Sequence, residues 1–131
     1  MDDFSVRSSM LPPSHSQIYR EFQFNLEVLK DVLSQDTVDR THLKSSVVKL
    51  QDFFQNQILT LDTGALEAGL EQQVQSFQVE MDKQLKLLGM DGQFLQAARQ
   101  PATATQRLHQ AQDRLSLLLR YCDALLTQTE S

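Results

Sequence analysis

Cysteine is almost absent from this chain of 131 residues, since Cys122 is its single example. One thiol cannot form an internal disulfide, and it gives a thiolate metal cluster no second ligand. Long apolar runs are missing as well: no stretch approaches the roughly 20 apolar residues that span a bilayer, and the N-terminal "MDDFSVRSSM" lacks the apolar stretch of a signal peptide. These absences predict a cytoplasmic protein with no metal site and no membrane insertion.

Positive charge is also scarce. The 12 lysines and arginines are outnumbered by 17 aspartates and glutamates, which gives a formal net charge of −5. Nucleic acids and anionic membranes bind proteins that carry a surplus of Lys and Arg, so the sequence predicts no nucleic-acid partner. With 40% apolar residues, 4 glycines and 3 prolines, the composition is that of an ordinary globular chain large enough for one domain.

Two adjacent prolines separate the N-terminus from the rest of the chain. Pro12 and Pro13 stop a helix from running through the first residues. The sequence therefore predicts a flexible N-terminal arm over 1–13 and a single helical-bundle domain over 14–131. It leaves open whether Met1 or Met10 is the natural start.

Three successive segments have apolar residues every three or four positions, the spacing of helices that bury one face. Ser14 has the side chain of an N-cap for the first helix, and either Asp36 or Asp39 has that of the second. Asp62 precedes the third helix, which we expect to end at Gly89 because glycine closes many helices. The three apolar seams are Tyr19, Phe22, Leu26, Leu29 and Leu33; Leu43, Val47, Leu50, Phe54 and Leu61; and Leu66, Leu70, Val74, Phe77, Met81, Leu85 and Leu88.

The stretch "GMDGQFLQAARQPATATQ" at residues 89–106 interrupts this rhythm. Asp91 has the side chain of an N-cap for a short helix that runs to Gln100, which precedes a proline and so disfavours helix. Thr103 and Gln106 have the spacing of a capping box, which predicts a fourth long helix from near Ala104. The predicted fold is all-α, an antiparallel four-helix bundle with a short extra helix before the last long helix.

The fourth helix has a regular heptad seam of Leu108, Ala111, Leu115, Leu118, Cys122 and Leu125, so we expect Cys122 to be buried. Leu117, Leu118 and Leu119 are consecutive, however, and side chains about 100° apart cannot all face one narrow core. The leucine that does not face a narrow core can pack into a broader bundle core, against a second subunit or against a partner protein, and the sequence leaves these three alternatives open. The second of these predicts a homodimer formed through this helix.

Residues with catalytic chemistry do not form a recognisable pattern. His15, His42 and His109 have no common spacing, and we expect them to be solvated. The glycines of "GMDG" have neither the spacing nor the lysine of a phosphate-binding loop. The sequence accordingly predicts no enzyme activity, no catalytic residue, no cofactor and no metal.

Arg99, Arg107 and Arg114 are candidates for partner binding. Arg107 and Arg114 are seven residues apart beside the seam of the fourth helix, and Arg99 precedes the proline. Arginines along one edge of a bundle can bind an acidic peptide. The alternative is that they are solvated and cover apolar surface with their stems.

Four stretches resemble the small cyanobacterial PatD family, described as heterocyst frequency control proteins. They are "LQDFFQNQILTLD", "VQSFQVEMDKQLKLLGMD", "LLGMDGQFLQAARQPATATQR" and "LLLRYCDALL", and the likeness covers most of residues 14–126. The resemblance implies a cytoplasmic regulator that binds the tubulin-like division protein FtsZ, modulates its assembly and links cell division to heterocyst frequency. It supplies no catalytic residue and assigns no contact with FtsZ. The alternative function is a general helical scaffold or dimeric adaptor for another protein.

Overall fold

Four helices make up most of the chain. The computed structural model describes residues 11–35 and 37–127, and within these ranges the protein has no β-strand. The helices are α1 (Pro13–Leu33), α2 (Arg40–Phe53), α3 (Ala68–Ala97) and α4 (Pro101–Thr127). They pack as a helical bundle, which confirms the all-α prediction. None of the helices in the described part of the chain is long and apolar enough to cross a bilayer.

The predicted seams meet in one core. Helix α3 packs against α2 and α4, and α1 packs against α4 and more lightly against α2. The ring of Phe22 on α1 stacks on that of Phe53 at the end of α2, with centroids 5.9 Å apart, and its centroid lies 6.0 Å from that of Phe54. Most residues of the four predicted seams are buried in this core.

Helix α1 begins one residue earlier than predicted. Pro13 is its first residue and Pro12 its N-cap, and no side chain caps this end. Ser14 is therefore not the cap, because proline at the first helical position needs no partner for a backbone donor. Residues 1–10 of the predicted arm lie outside the described residues, whereas Leu11 is buried against the core.

Asp39 caps α2, as one of the two sequence alternatives predicts. Its Oδ1 accepts hydrogen bonds from the backbone amides of Thr41 at 3.0 Å and His42 at 3.1 Å. The other alternative, Asp36, lies outside the described residues. A π-helical turn over Phe54–Ile58 extends α2, and a short 3₁₀ turn over Thr63–Ala65 leads towards α3.

The short extra helix predicted between Asp91 and Gln100 is wrong as a separate element. Helix α3 runs without a break for 30 residues, from Ala68 to Ala97, and so passes through Gly89, Asp91 and Gly92. A glycine inside a helix costs only about 1 kcal/mol relative to alanine, which surrounding contacts can offset. Neither glycine has a positive φ, so neither terminates the helix.

The helix ends instead at Ala97, and the C-cap residue Ala98 has an extended backbone with a ψ of 127°. The guanidinium of Arg40, the first residue of α2, donates hydrogen bonds to the carbonyls of Leu95 at 2.8 Å and Ala98 at 2.7 Å. These bonds satisfy acceptors that a helix end leaves free. Helix α4 then begins at Pro101 rather than near Ala104, again because proline fits the first helical position.

The three consecutive leucines of α4 lie in or beside the core. Leu118 is fully buried, Leu119 packs against the core and Leu117 is half-buried. Among the described residues, the exposed large apolar side chains lie on α1, on α3 and on α2 with the turn that follows it. The bundle is thus broad enough to take up much of the apolar surface of α4, and dimerisation through this helix stays a prediction.

The two glycines of α3 should respond differently to alanine. A Cβ at Gly92 meets no atom within 4 Å, so Gly92→Ala should raise the free energy of unfolding by about 0.5–1 kcal/mol. At Gly89 the new Cβ would lie 2.7 Å from Nε2 of Gln51, which donates to the carbonyl of Leu85 at 3.1 Å. Losing that bond costs about 0.5–1.5 kcal/mol, so Gly89→Ala should leave stability near that of the wild type.

Urea unfolding of the two variants beside the wild type measures this difference. An equal gain in stability at both positions would mean that Gln51 does not constrain residue 89.

Candidate functional site

A buried carboxylate lies near the C-terminal end of α3. Asp91 is only 3% exposed, and two arginines from α4 approach it. Nε of Arg114 donates to Oδ2 at 3.1 Å, and a guanidinium nitrogen of Arg107 lies 3.8 Å from Oδ1. A carboxylate removed from water is tolerated only when its charge is compensated. The cluster therefore ties α4 to α3 at this end of the bundle.

Arg107 also covers an aromatic ring. Its guanidinium carbon lies 4.3 Å from the centroid of Phe94, and one of its nitrogens donates to Oε1 of Gln110 at 3.1 Å. Phe94 remains 46% exposed. An arginine over an aromatic face gains cation–π attraction, and both phenylalanine and arginine are enriched at protein interfaces relative to the rest of the surface.

The structure brings together two of the three predicted partner-binding arginines. Arg107 and Arg114 meet at Asp91, and both side chains keep about a third of their surface exposed, at 32% and 29%. Arg99 is exposed in the turn between α3 and α4. These positions leave partner binding as a prediction, and they add a structural role for the two arginines of α4.

Sequence reasoning missed Arg40 and misread Asp91. One feature of the sequence could have indicated the role of Arg40. The positive end of the helix dipole disfavours a cation in the first turn, so an arginine at the start of α2 suggests that it binds a specific acceptor. The side chain of Asp91 suggested an N-cap after a helix end at Gly89, whereas its carboxylate binds Arg114 of α4. No local pattern predicts that contact, because Asp91 and Arg114 are 23 residues apart.

Helices α1 and α2 are separated by an apolar groove with a volume of about 300 Å³. Val28 and Val32 form one wall, and Leu50 and Phe53 form the other. Lys49 is its one lysine, and Val28 is 46% exposed.

A second groove, of about 250 Å³, lies between α2 and α3. Val48 and Met90 give it apolar walls, and the two glycines of α3 form part of its floor. Lys44 and Lys86 lie at its edges, and no carboxylate is among the residues that line it. Gly89 and Gly92 thus leave space between the helices, beside the two lysines that line this groove.

Several polar groups are buried among the helices. Nε2 of Gln78 donates to the hydroxyl of Tyr19 at 3.0 Å, and burial raises the pKa of Tyr19 to about 12. Burial also raises the pKa of the Cys122 thiol to about 12, so this cysteine is an inert core residue, as predicted.

The histidines are not all solvated. His42 and His109 are exposed, but His15 is buried, and the expectation of solvation is wrong for it. Its Nδ1 has no hydrogen-bond partner, and burial lowers its pKa while the charge of Asp62 opposes that shift. His15 lies in the first turn of α1, on the side of the helix that is buried. Residues 11–35 and 37–127 contain no group of three or more His, Cys, Asp or Glu side chains that could hold a metal ion.

A family model described as the CRR41 C-terminal domain matches residues 21–117. The match covers well over half of the chain, and the chain belongs to this family. No curated protein matches the chain, and no solved structure matches it. None of these comparisons names PatD, so that resemblance stays a prediction.

Removing the arginines separately should reveal which one compensates Asp91. Arg114→Met keeps an unbranched stem but leaves Oδ2 without its 3.1 Å partner, and we expect it to cost about 1–3 kcal/mol. Arg107→Met removes a weaker contact at 3.8 Å and should cost about 1 kcal/mol or less. Chemical denaturation measures both. A larger loss for Arg107→Met would reverse the assignment.

Stability should fall in mild acid because of His15. Its pKa is lowered in the folded protein, so the unfolded chain binds a proton first as the pH falls below the ordinary value of 6.5. The stabilising contribution is fully present above that pH and decreases below it. Thermal unfolding between about pH 7.5 and about pH 5 should show a steeper loss for the wild type than for His15→Gln. His42→Gln, at an exposed position, is the matched control and should retain the wild-type slope.

Proposed function

We propose that this member of the CRR41 C-terminal domain family is a non-catalytic protein-interaction domain, and that its partner is the division protein FtsZ. In this proposal the domain modulates FtsZ assembly and links cell division to heterocyst frequency. The choice of FtsZ depends on the PatD resemblance of residues 14–126. A role in the cytoplasm follows from the same resemblance.

The observation that carries a binding role is the exposure of large apolar side chains on regular helices. Phe24, Val28, Val48, Met90 and Phe94 are all exposed on α1, α2 or α3. Helices in a packed bundle hold such side chains in place before a partner arrives, which reduces the ordering cost of association. Exposed apolar side chains that line a groove or lie beside an arginine are the usual features of a protein-binding surface.

We place the contact with FtsZ at the edge formed by Arg99, Arg107 and Arg114. Arg99 is exposed, and Arg107 lies over the exposed ring of Phe94. An acidic segment can pair with this edge although the whole chain has a charge of −5. Asp91 compensates part of the positive charge of Arg107 and Arg114, which weakens their attraction for an acidic segment. We therefore propose that the exposed ring of Phe94 also contributes to the contact with FtsZ.

An antiparallel order of the helices belongs to the same proposal. Arg40 contacts Leu95, and further along α2 Gln51 contacts Leu85, so positions rise on one helix as they fall on the other. Helices α3 and α4 show the same trend in the contact of Asp91 with Arg114 and that of Phe77 with Tyr121. An antiparallel order is common in four-helix bundles whose successive helices are neighbours.

The second candidate function is a general scaffold or dimeric adaptor for another protein. The apolar groove between α1 and α2 favours it, because that groove can accept a partner of any source. A homodimer through α4 is part of this alternative. Light scattering over a wide concentration range measures the oligomeric state.

Co-sedimentation with FtsZ filaments tests the proposed partner and the proposed edge. Arg99→Glu reverses an exposed charge and should weaken binding about tenfold, whereas Arg120→Glu makes the same change at another exposed position and should not. Charge reversal at Arg107 or Arg114 is unsuitable, because a new carboxylate beside the buried Asp91 would destabilise the fold. Added salt should weaken wild-type binding because exposed charges are screened.

Absence of any co-sedimentation by the folded wild-type domain would exclude FtsZ and favour the adaptor. Equal binding by Arg99→Glu and Arg120→Glu would remove the arginine edge from the contact while keeping FtsZ as the partner.

A further inference from the structure

The groove between α2 and α3 has a composition suited to a particular ligand. Its nine lining residues include two lysines and no carboxylate, although the chain as a whole is acidic. Val48 and Met90 are about half exposed within it, at 47% and 49%. Apolar walls with a cationic rim complement a segment that carries apolar and acidic side chains together.

The groove is open because of the glycines of α3. The position that a Cβ would take at Gly92 has no atom within 4 Å, so free space remains there beside the helix. At Gly89 the side chain of Gln51 comes close and donates to the carbonyl of Leu85. The two helices therefore touch at Gly89 and leave a recess beside Gly92.

The charged rim is available to a ligand. Nζ of Lys86 lies 2.8 Å from Asp82, but its side chain is 72% exposed, and an exposed pair of this kind is weak and can exchange for another carboxylate. Lys44 is exposed on α2. One helical turn after Met90, Phe94 continues the apolar surface towards Arg107.

We infer that the α2/α3 groove binds an acidic amphipathic helical segment of a partner protein, with its apolar side chains against Val48 and Met90 and its carboxylates at Lys44 and Lys86. This inference rests on the proposed function, since it assigns a surface and a partner chemistry to the interaction domain. It adds the groove to the contact at the edge formed by Arg99, Arg107 and Arg114.

A pair of designed peptides tests the inference without requiring the natural partner. Both peptides have leucines on one helical face, and the flanking positions are glutamate in one and lysine in the other. Backbone amide shifts of the isotope-labelled full chain then report the binding site. We expect the glutamate peptide to shift amides around Val48, Met90 and Gly92, and we expect the lysine peptide to bind at least about tenfold more weakly.

The chain offers a matched control for the groove itself. Val48→Glu and Val28→Glu make the same change at valines of nearly equal exposure, the first in the α2/α3 groove and the second in the α1/α2 groove. Val48→Glu should weaken binding of the glutamate peptide about tenfold, and Val28→Glu should leave it unchanged. Lys44→Glu should also weaken binding of the glutamate peptide, whereas Lys44→Arg, which keeps the positive charge, should bind the peptide as the wild type does.

Shifts confined to the α1/α2 groove, or no shifts at all, would overturn the inference. Equal binding of the two peptides would also overturn it, because apolar adhesion alone would then explain the contact. A dimer that Val48→Glu dissociates would show that the groove is occupied by a second copy and would overturn the acidic partner.

The same variants separate this inference from the choice of FtsZ. If the glutamate peptide binds the groove but FtsZ does not co-sediment with the wild type, FtsZ fails and the groove assignment stands. If FtsZ binding survives Val48→Glu and Lys44→Glu and the glutamate peptide does not bind, the groove assignment fails and FtsZ remains.

Discussion

The charge of Asp91 is the constraint on which the packing of this end of the bundle depends. A carboxylate that is almost fully removed from water must be compensated nearby, and α4 supplies Arg114 and Arg107 for this purpose. Asp91 can reach them only while α3 remains helical through its two glycines. The ion pair, the unbroken helix and the position of α4 are therefore parts of one arrangement. Arg107 is held there over Phe94, which fixes an aromatic ring and a cation side by side at the surface.

The contact between α2 and α3 has a related origin. Arg40 binds carbonyls at the end of α3, and Gln51 binds the carbonyl of Leu85 where Gly89 allows a close approach. These two sets of hydrogen bonds join α2 and α3 at two different positions along the helices. The smaller residues between them leave the groove with Lys44 and Val48 at its edge. The features that stabilise the helix pair thus also create the recess that we assign to a partner.

Some of the buried polar groups belong to the packed core itself. Tyr19 and Gln78 satisfy each other inside the core, and Cys122 is a small apolar residue there. The apolar side chains left in contact with water lie instead on α1, on α3 and on α2 with the turn that follows it, mostly beside grooves. Membership of the CRR41 C-terminal domain family names no partner, so the partner is identified by binding experiments.

The sequence by itself determined the four long helices, their buried faces and the core position of Cys122, because each depends on a helical spacing that is local and repeated. Local signals failed where a distant contact outweighed them. The pattern around Gly89 and Asp91 is that of a helix end, and the four residues from Ser14 to Gln17 resemble a capping box. The tertiary structure decided otherwise at both places. Asp91 contacts arginines 16 and 23 residues further along the chain, and α3 continues through this position without a break. At the other place, α1 begins with the two prolines that precede Ser14. Long-range compensation of a buried charge leaves no periodic trace in a single chain, and for that reason only the packed structure shows it.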